Sequence, residues 1–140
     1  MALALPGLLN QACYDILAAF IVGKSWKVYL STDAVLATDT NISDLTEISA
    51  GNGYTAGGPA TTVTVVQDGS TAYLVASQPT IAASGGSVGP YTGIAIYETA
   101  TGKIRGRYNE VSPVTIANGS SKTIQFNQQT GFLHFGTVDP

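Results

Sequence analysis

The sequence contains little charge for its length. Asp, Glu, Lys and Arg make up 11% of its 140 residues, whereas an ordinary soluble protein has about 25%. Only six residues are Lys or Arg and the net charge is −3, too little positive charge to neutralise a track of phosphates, so we expect no nucleic-acid binding. A weakly charged surface can be covered by another protein without stripping many ions of water. The composition therefore favours extensive assembly contacts, although neutral lectins and fibre modules share it.

The chain also lacks a long hydrophobic run and a cysteine pair. Its longest apolar segment, DILAAFIV, is far shorter than the ~20 residues of a membrane-spanning helix, and the basic start of a signal peptide is missing. We expect no membrane attachment and synthesis in the cytoplasm. A single cysteine, Cys13, permits no internal disulfide. The expectation is one domain, residues 1–140, that is held together by packing.

Catalytic and metal-binding motifs are missing as well. His134 is the only histidine, and a lone strand histidine without a positioned partner is interpreted as a packing residue. The segment DTNISD, Asp39 to Asp44, has oxygen ligands at alternate positions, but Asp44 and Ala50 replace the Gly and Glu that complete a calcium loop. Such residues more often bond their own backbone. We therefore predict no enzyme, no cofactor and no metal site.

Periodicity divides the chain into one helix followed by strands. Apolar residues recur in pairs every four positions from Leu8 to Ile21, which predicts an amphipathic helix over about residues 7–22 that includes Cys13 in its apolar stripe. Pro6 suits its first turn and Gly23 its C-terminal cap. Short strands separated by turn signals follow over about residues 24–138. The predicted fold is mainly β, a β-sandwich or jelly-roll with one N-terminal amphipathic helix.

The predicted strands alternate between a buried and an outer face. In KSWKVYLST, Lys27 and Tyr29 are expected to face away from the core, and in TGIAIYETATG so are Ala95 and Tyr97. Hairpin turns are predicted at Asp68-Gly69 and at residues 100–102, and three short strands after Val114 are separated at Asn118-Gly119 and Thr130-Gly131. The expected core contains seven large apolar residues: Trp26, Val28, Leu30, Ile94, Ile96, Ile124 and Phe126.

Residues 33–60 show no sustained period and are predicted to form a long surface loop. The loop ends in ISAGNGYTAGGPATTVTV, in which four glycines precede a strand. A phosphate site needs a helix behind its glycines, so we interpret these glycines as a corner that requires positive φ angles. They are Gly51, Gly53, Gly57 and Gly58.

The clearest cluster of like charge in the sequence is formed by three basic residues, Lys103, Arg105 and Arg107. They differ by two positions in GKIRGRY and are predicted to line one side of a strand. One interpretation is edge protection, because basic residues on an edge strand discourage unwanted pairing. The other is contact with an acidic protein surface, because Arg suits carboxylates. In that case the isolated fold is expected to survive the loss of Arg105 and Arg107.

The order of these features resembles small structural proteins of tailed bacteriophages. The resemblance lies in LLNQACYDILAAFIVG, WKVYLST, GNGYTAGG and the hairpin GIAIYETATGK, Gly93 to Lys103. It implies a β-sandwich component of the virion that has no enzymatic activity and is made in the host cytoplasm. It also implies a small homo-oligomer, a dimer or trimer, bound to the major capsid protein or another virion subunit.

The favoured interpretation of that resemblance is a capsid decoration, or cement, protein that binds and stabilises the assembled head. The chain is long enough for a compact domain and lacks the repeats of a fibre shaft. The alternative is a tail-tip or tail-fibre component that binds carbohydrate. In that alternative, exposed rings of Tyr54, Tyr73, Tyr91 and Tyr97 would stack on sugars.

Overall fold

The structure, a computed structural model, describes residues 2–4, 10–69, 71–126 and 131–136. Within them the chain is mainly β with one α-helix, as predicted. The elements in chain order are β1 (Ala2–Ala4), α1 (Asn10–Ile21), β2 (Trp26–Ser31), a 3₁₀ helix (Ile42–Asp44), β3 (Ala60–Thr61), β4 (Val63–Asp68), β5 (Thr71–Ala76), β6 (Thr80–Ala82), β7 (Val88–Glu98), β8 (Ile104–Ile116), β9 (Ser121–Thr123) and β10 (Leu133–Gly136). They form two compact units, and the single domain stays a prediction.

The first unit is a four-stranded sheet with α1 packed on it. The strand order is β1-β10-β5-β4, with β1 parallel to β10 and the other pairs antiparallel, and α1 lies against β4, β5 and β10. Cys13 and Leu17 are buried, whereas Ile16 is 40% exposed, so one flank of the predicted apolar stripe packs in the unit. Gly23 has a φ of 71° at the helix end, which confirms it as the cap. Pro6, Leu8 and Leu9 lie outside the described residues.

The hairpin of this unit confirms the predicted turn. Asp68 pairs with Thr71 across β4 and β5, and Gly69 has a φ of 59°. A two-residue connection between paired strands favours such left-handed positions, which glycine adopts without strain.

The second unit contains the sheet β3-β2-β7-β8 and the small sheet β6-β9. All seven residues of the predicted core are buried. Six of them belong to this unit, and Phe126 belongs to the first. The outer face is buried too, because Tyr29, Ala95 and Tyr97 are at most 7% exposed. The prediction that β2 and β7 have one face away from the core is therefore wrong.

The second face is covered by residues 33–59, here called the covering segment. Val35 and Leu45 pack with Tyr29, Ala95 and Tyr97 in one apolar cluster, which Ile42 and Ile104 flank. Residues 33–59 are irregular and mostly exposed, as predicted, but the prediction of a surface loop did not include the side chains that they bury against the sheet. The segment has no secondary-structure period because its buried side chains are widely spaced along an irregular chain rather than along a helix or strand.

The four glycines of the covering segment have positive φ angles, as predicted. The values are 113° for Gly51, 106° for Gly53, 87° for Gly57 and 83° for Gly58. Two of these positions also lack room for a side chain: a Cβ on Gly53 would overlap the Ala82 carbonyl oxygen, and one on Gly58 the carbonyl oxygen of Val28. The glycines thus turn the chain and let its backbone approach the sheets closely.

The long hairpin of β7 and β8 ends the larger sheet. Its tight turn is closed by Gly102 N–H donating to Glu98 O at 2.8 Å and Glu98 N–H donating to Lys103 O at 3.0 Å, which confirms the turn at residues 100–102. Val114 belongs to β8 and pairs with Tyr91, so the first of the three predicted short strands is the end of this hairpin. Gly119, with a φ of 84°, confirms the next turn, and Thr130 lies outside the described residues.

Candidate functional site

The candidate site is the free edge of β8, which carries the predicted basic residues. β8 is the last strand of its sheet, with β7 on its inner side. At its start the covering segment lies along the outer side, since Ile104 N–H donates to Thr40 O at 3.1 Å and Asn41 forms a bridge with Lys103. From Arg105 onward, the described part of the chain places no strand on that side.

A β-bulge interrupts the alternation of side chains along β8. Ala95 pairs with Arg107 and Ile96 with Gly106, but the next pair joins Tyr97 to Ile104, so Arg105 is an extra residue. A bulge of this kind shifts every following side chain by one position. Arg105 therefore reaches Glu98, whereas Arg107 points to the covering segment on the opposite face. The prediction that the three basic residues line one side is wrong.

Arg105 compensates a buried carboxylate. Its Nε donates to Glu98 Oε2 at 2.8 Å. The Glu98 side chain is 7% exposed and that of Arg105 33%, so the cation reaches inward from the edge. A buried carboxylate is costly without such a partner. Arg105 therefore contributes to the fold of the isolated protein.

Arg107 holds the covering segment in place. Its Nη1 donates to the Val35 carbonyl oxygen at 2.9 Å, and Asn109 Nδ2 donates to the same oxygen at 3.0 Å. Asn109 Oδ1 in turn accepts from Val35 N–H at 2.8 Å. The amide and carbonyl of Val35 are thus both satisfied by side chains of β8.

Lys103 differs from the two arginines because its ammonium group has no hydrogen bond or ion pair with the described residues. It lies at the rim of a cleft of about 380 Å³ between the covering segment and the start of β8. Ile104 and Arg105 line the β8 side of this cleft, here called the β8 cleft, and Asp39, Thr40 and Asn41 line the other side.

The wall of the β8 cleft is the DTNISD segment, whose oxygens bond their own backbone. Asn41 Oδ1 accepts from Ser43 N–H at 3.1 Å, and Asp44 Oδ2 accepts from the N–H groups of Thr40 at 3.0 Å and Asn41 at 3.2 Å. These backbone bonds lower the pKa of the Asp44 carboxyl. The interpretation as turn residues is confirmed. Within the described ranges no cluster of His, Cys, Asp and Glu is suited to a metal ion.

A second irregularity of β8 is a protrusion that the sequence analysis missed. Gly93 pairs with Asn109, but the next pair joins Tyr91 to Val114, so residues 110–113 lie opposite a single residue of β7. This segment, the β8 protrusion, carries Val111 with 106% relative exposure. The Glu110 carboxylate has no hydrogen bond or ion pair with the described residues. Pro113 inside a strand pattern was the available signal, because proline in a sheet occurs at edges and bulges.

The β8 edge offers charge pairing and apolar contact to a protein surface. The β8 cleft presents an ammonium group beside an isoleucine, and the protrusion presents a carboxylate beside a valine. No family model, curated protein or solved structure matches the chain. What the chain does is therefore inferred from the chemistry of this edge and from the resemblance given above.

The four tyrosines considered for sugar stacking are buried. Tyr54, Tyr73, Tyr91 and Tyr97 are at most 9% exposed, so the prediction of exposed rings is wrong. Tyr73 and Tyr91 lie in β5 and β7, Tyr97 packs in the apolar cluster under the covering segment, and Tyr54 belongs to that segment. In the described part of the chain, no helix reaches the length and apolar character that a bilayer crossing requires.

Tyr54 is the centre of a polar network under the covering segment. Its hydroxyl donates to Glu47 Oε1 at 2.9 Å and accepts from Leu30 N–H at 3.2 Å. Glu47 Oε1 also accepts from Gly57 N–H at 2.6 Å, and the Tyr97 hydroxyl donates to Gly57 O at 2.7 Å. Burial raises the pKa values of Tyr54 and Tyr97, and the nearby Glu47 carboxylate raises them further.

Proposed function

We propose that the chain is a non-enzymatic structural component of a tailed-phage virion, and that it acts as a capsid decoration protein on the assembled head. It is made in the host cytoplasm and functions as a homo-oligomer in the virion. The proposal is supported by where two of the motifs that carry the resemblance lie, because both are part of the folded framework. GNGYTAGG lies in the covering segment, and GIAIY forms the centre of β7.

The observation that carries the proposal is that the acidic side chains of the covering segment accept hydrogen bonds from within that segment. Asp33, Asp39 and Asp44 accept hydrogen bonds from backbone N–H groups of the covering segment itself. Glu47 accepts from Tyr54 and Gly57 in the same segment. Residue types that perform acid–base catalysis elsewhere thus fix this backbone, which suits a structural role.

A decoration protein stabilises a lattice by mass action. A molecule that binds only the assembled state contributes RT ln(1 + [L]/Kd), about 4 kcal/mol at a thousandfold excess over Kd. Many weak contacts per particle therefore suffice. A surface with few charges makes such contacts without a large desolvation cost.

The basic residues of β8 are proposed to contact an acidic group of a neighbouring subunit. Lys103 contributes most to that contact, because its ammonium group has no partner among the described residues. Arg105 and Arg107 already bond Glu98 and Val35, so they add fixed positive charge at the rim. Charges at a rim tune the association rate and its salt dependence.

Binding to particles tests the function. Heads and tails of the phage that encodes the chain, assembled without it, are purified separately and sedimented with the purified protein. Saturable binding to heads, with a higher temperature of genome release, is the expected result. Binding to tails alone would favour the tail component, and binding to neither would refute the proposal.

The arrangement of the sheets as a β-sandwich or jelly-roll is a further part of the proposal. Two apolar sheet faces packed against each other in an experimental structure of the isolated protein would support it. Sheets without a shared core would refute it.

A further inference from the structure

The edge of β8 carries two features that match each other. On its β8 side, the β8 cleft has an isoleucine, Ile104, between two cations, Lys103 and Arg105; Asp39 lines the other side, where its carboxylate accepts from Leu36 N–H at 2.7 Å. The β8 protrusion has an exposed valine, Val111, next to a carboxylate, Glu110. We propose that two copies of the chain associate through β8, with the protrusion of each copy seated in the β8 cleft of the other.

Charge complementarity selects this occupant. Lys103 and Glu110 both have charged groups without a hydrogen bond or ion pair in the described parts of the chain. Opposite charges on facing strands stabilise the pairing, whereas like charges oppose it. Glu110, the acidic residue proposed to pair with Lys103 of the other copy, thus lies on the same strand, seven positions after Lys103.

Symmetry makes the contact close on itself. When two edge strands pair in antiparallel orientation around a two-fold axis, a contact of residue i with j is repeated as j with i. An axis near Arg107 and Tyr108 places Ile104 of one copy opposite Val111 of the other, with Lys103 diagonally across from Glu110, within reach of its long side chain. Each dimer then has two identical sets of contacts, and its β8 edges are covered.

The arrangement avoids repulsion at the axis. The Arg107 guanidinium is bonded to the Val35 carbonyl oxygen at 2.9 Å on the face of the sheet, so it is directed away from the partner strand. Pro113 cannot donate to a neighbouring strand, and the Asn41 bridge occupies the outer side at Lys103. These two positions limit the backbone pairing to the residues between them, and Lys103 contacts the partner through its side chain alone.

The fit of apolar groups adds to the charge pairing. Val111 is 106% exposed, and its burial against Ile104 in the β8 cleft removes both from water. The cleft volume of about 380 Å³ lies within the ~300–1,000 Å³ of sites that enclose small ligands. A valine with its neighbouring carboxylate is smaller than such ligands, so the protrusion has room to enter.

This inference rests on the proposed function in one respect: the neighbouring subunit whose acidic group contacts the basic residues of β8 is identified as a second copy of the chain. Its test uses the free protein without particles, so the two can fail separately. Sedimentation velocity over a range of protein concentrations measures the dimer dissociation constant. A dimer that weakens with added salt is the expected result, and a monomer at every concentration overturns the inference.

Val111→Asp with Val22→Asp as its matched control locates the contact. Both valines are highly exposed, at 106% and 74%, but Val22 follows α1. We expect Val111→Asp to raise the dissociation constant at least about tenfold, with Val22→Asp unchanged. Equal effects of the two variants, or association that neither alters, would place the contact elsewhere and overturn the inference.

A charge exchange tests the proposed pairing directly. Lys103→Glu alone and Glu110→Lys alone are each expected to weaken the dimer about tenfold, and the double variant is expected to restore association. Circular dichroism melting confirms that each variant is folded. Two single effects that simply add in the double variant would show that the two side chains do not contact each other, which contradicts the arrangement.

Discussion

Two buried tyrosine hydroxyls in this protein have opposite surroundings. The Tyr54 hydroxyl bonds both Leu30 N–H and Glu47, whereas that of Tyr91 is buried without a hydrogen-bond partner in the described structure. A satisfied polar group contributes to stability, while an unsatisfied one costs the free energy of its desolvation. The same chemical group therefore stabilises the fold at one position and opposes it at the other.

Tyr54→Phe should lower the free energy of unfolding by about 1–3 kcal/mol, because it leaves the buried Leu30 N–H without its acceptor. Tyr91→Phe keeps the ring and removes only the unpaired hydroxyl, so it should leave the stability unchanged or raise it. Urea unfolding followed by the fluorescence of Trp26, the only tryptophan, measures both. A greater loss for Tyr91→Phe than for Tyr54→Phe would contradict this account.

At the scale of elements, the edge strand β8 shows what the sequence could predict and what it could not. Its hairpin with β7 and the glycine in the turn follow from local turn signals. The bulge at Arg105 does not, because a single extra residue in a ladder depends on how Ile96 and Tyr97 pair across the sheet. A strict period of two then assigns one of the arginines to the wrong face.

Arg105→Met should destabilise the isolated protein by about 1–3 kcal/mol, because it removes the guanidinium that pairs with the buried Glu98 carboxylate, while the arginine's own partial exposure reduces the effect. Lys103→Met is the matched control on the same strand and should leave the free energy of unfolding unchanged. Thermal and urea unfolding measure both variants. Equal stability of the two would mean that other groups compensate the Glu98 carboxylate, which contradicts this account.

The covering segment was the least predictable element, although one signal was present. β2 contains the apolar run Val28-Tyr29-Leu30, and β7 contains Ile94-Ala95-Ile96-Tyr97. Continuous apolar runs of this kind are typical of strands that are buried on both faces. That pattern requires a second layer. The segment that supplies it has buried side chains at irregular spacing, so no period identifies it.

For the whole molecule, several buried phenols link stability to alkaline pH. Burial raises the pKa of Tyr91 to about 12, from 10.0, and also raises that of Tyr29 and Tyr97. A group whose pKa is raised on folding binds its proton more tightly in the folded state. Its contribution is therefore complete below pH 10 and is lost as the pH rises towards its folded pKa.

We expect the melting temperature to fall as the pH rises from about 10 to about 12. Circular dichroism melting measures the fall, and tyrosinate absorbance reports the accompanying ionisation. Tyr91→Phe should have a shallower decrease, because it removes one of the raised groups. A melting temperature that is constant over this interval would show that the phenols ionise equally in the folded and unfolded chains.

The attachment of the covering segment also has a consequence for the order of folding. Val35 bonds Asn109, 74 residues away, and Asn41 bonds Thr101, 60 residues away. Contacts of such large sequence separation form late, after the hairpin that provides their partners. Until then Tyr29, Ala95 and Tyr97 face water on a sheet that already has its strands paired. We therefore expect the folding chain to expose this aromatic surface until residues 33–59 close over it, and slower closure to favour aggregation.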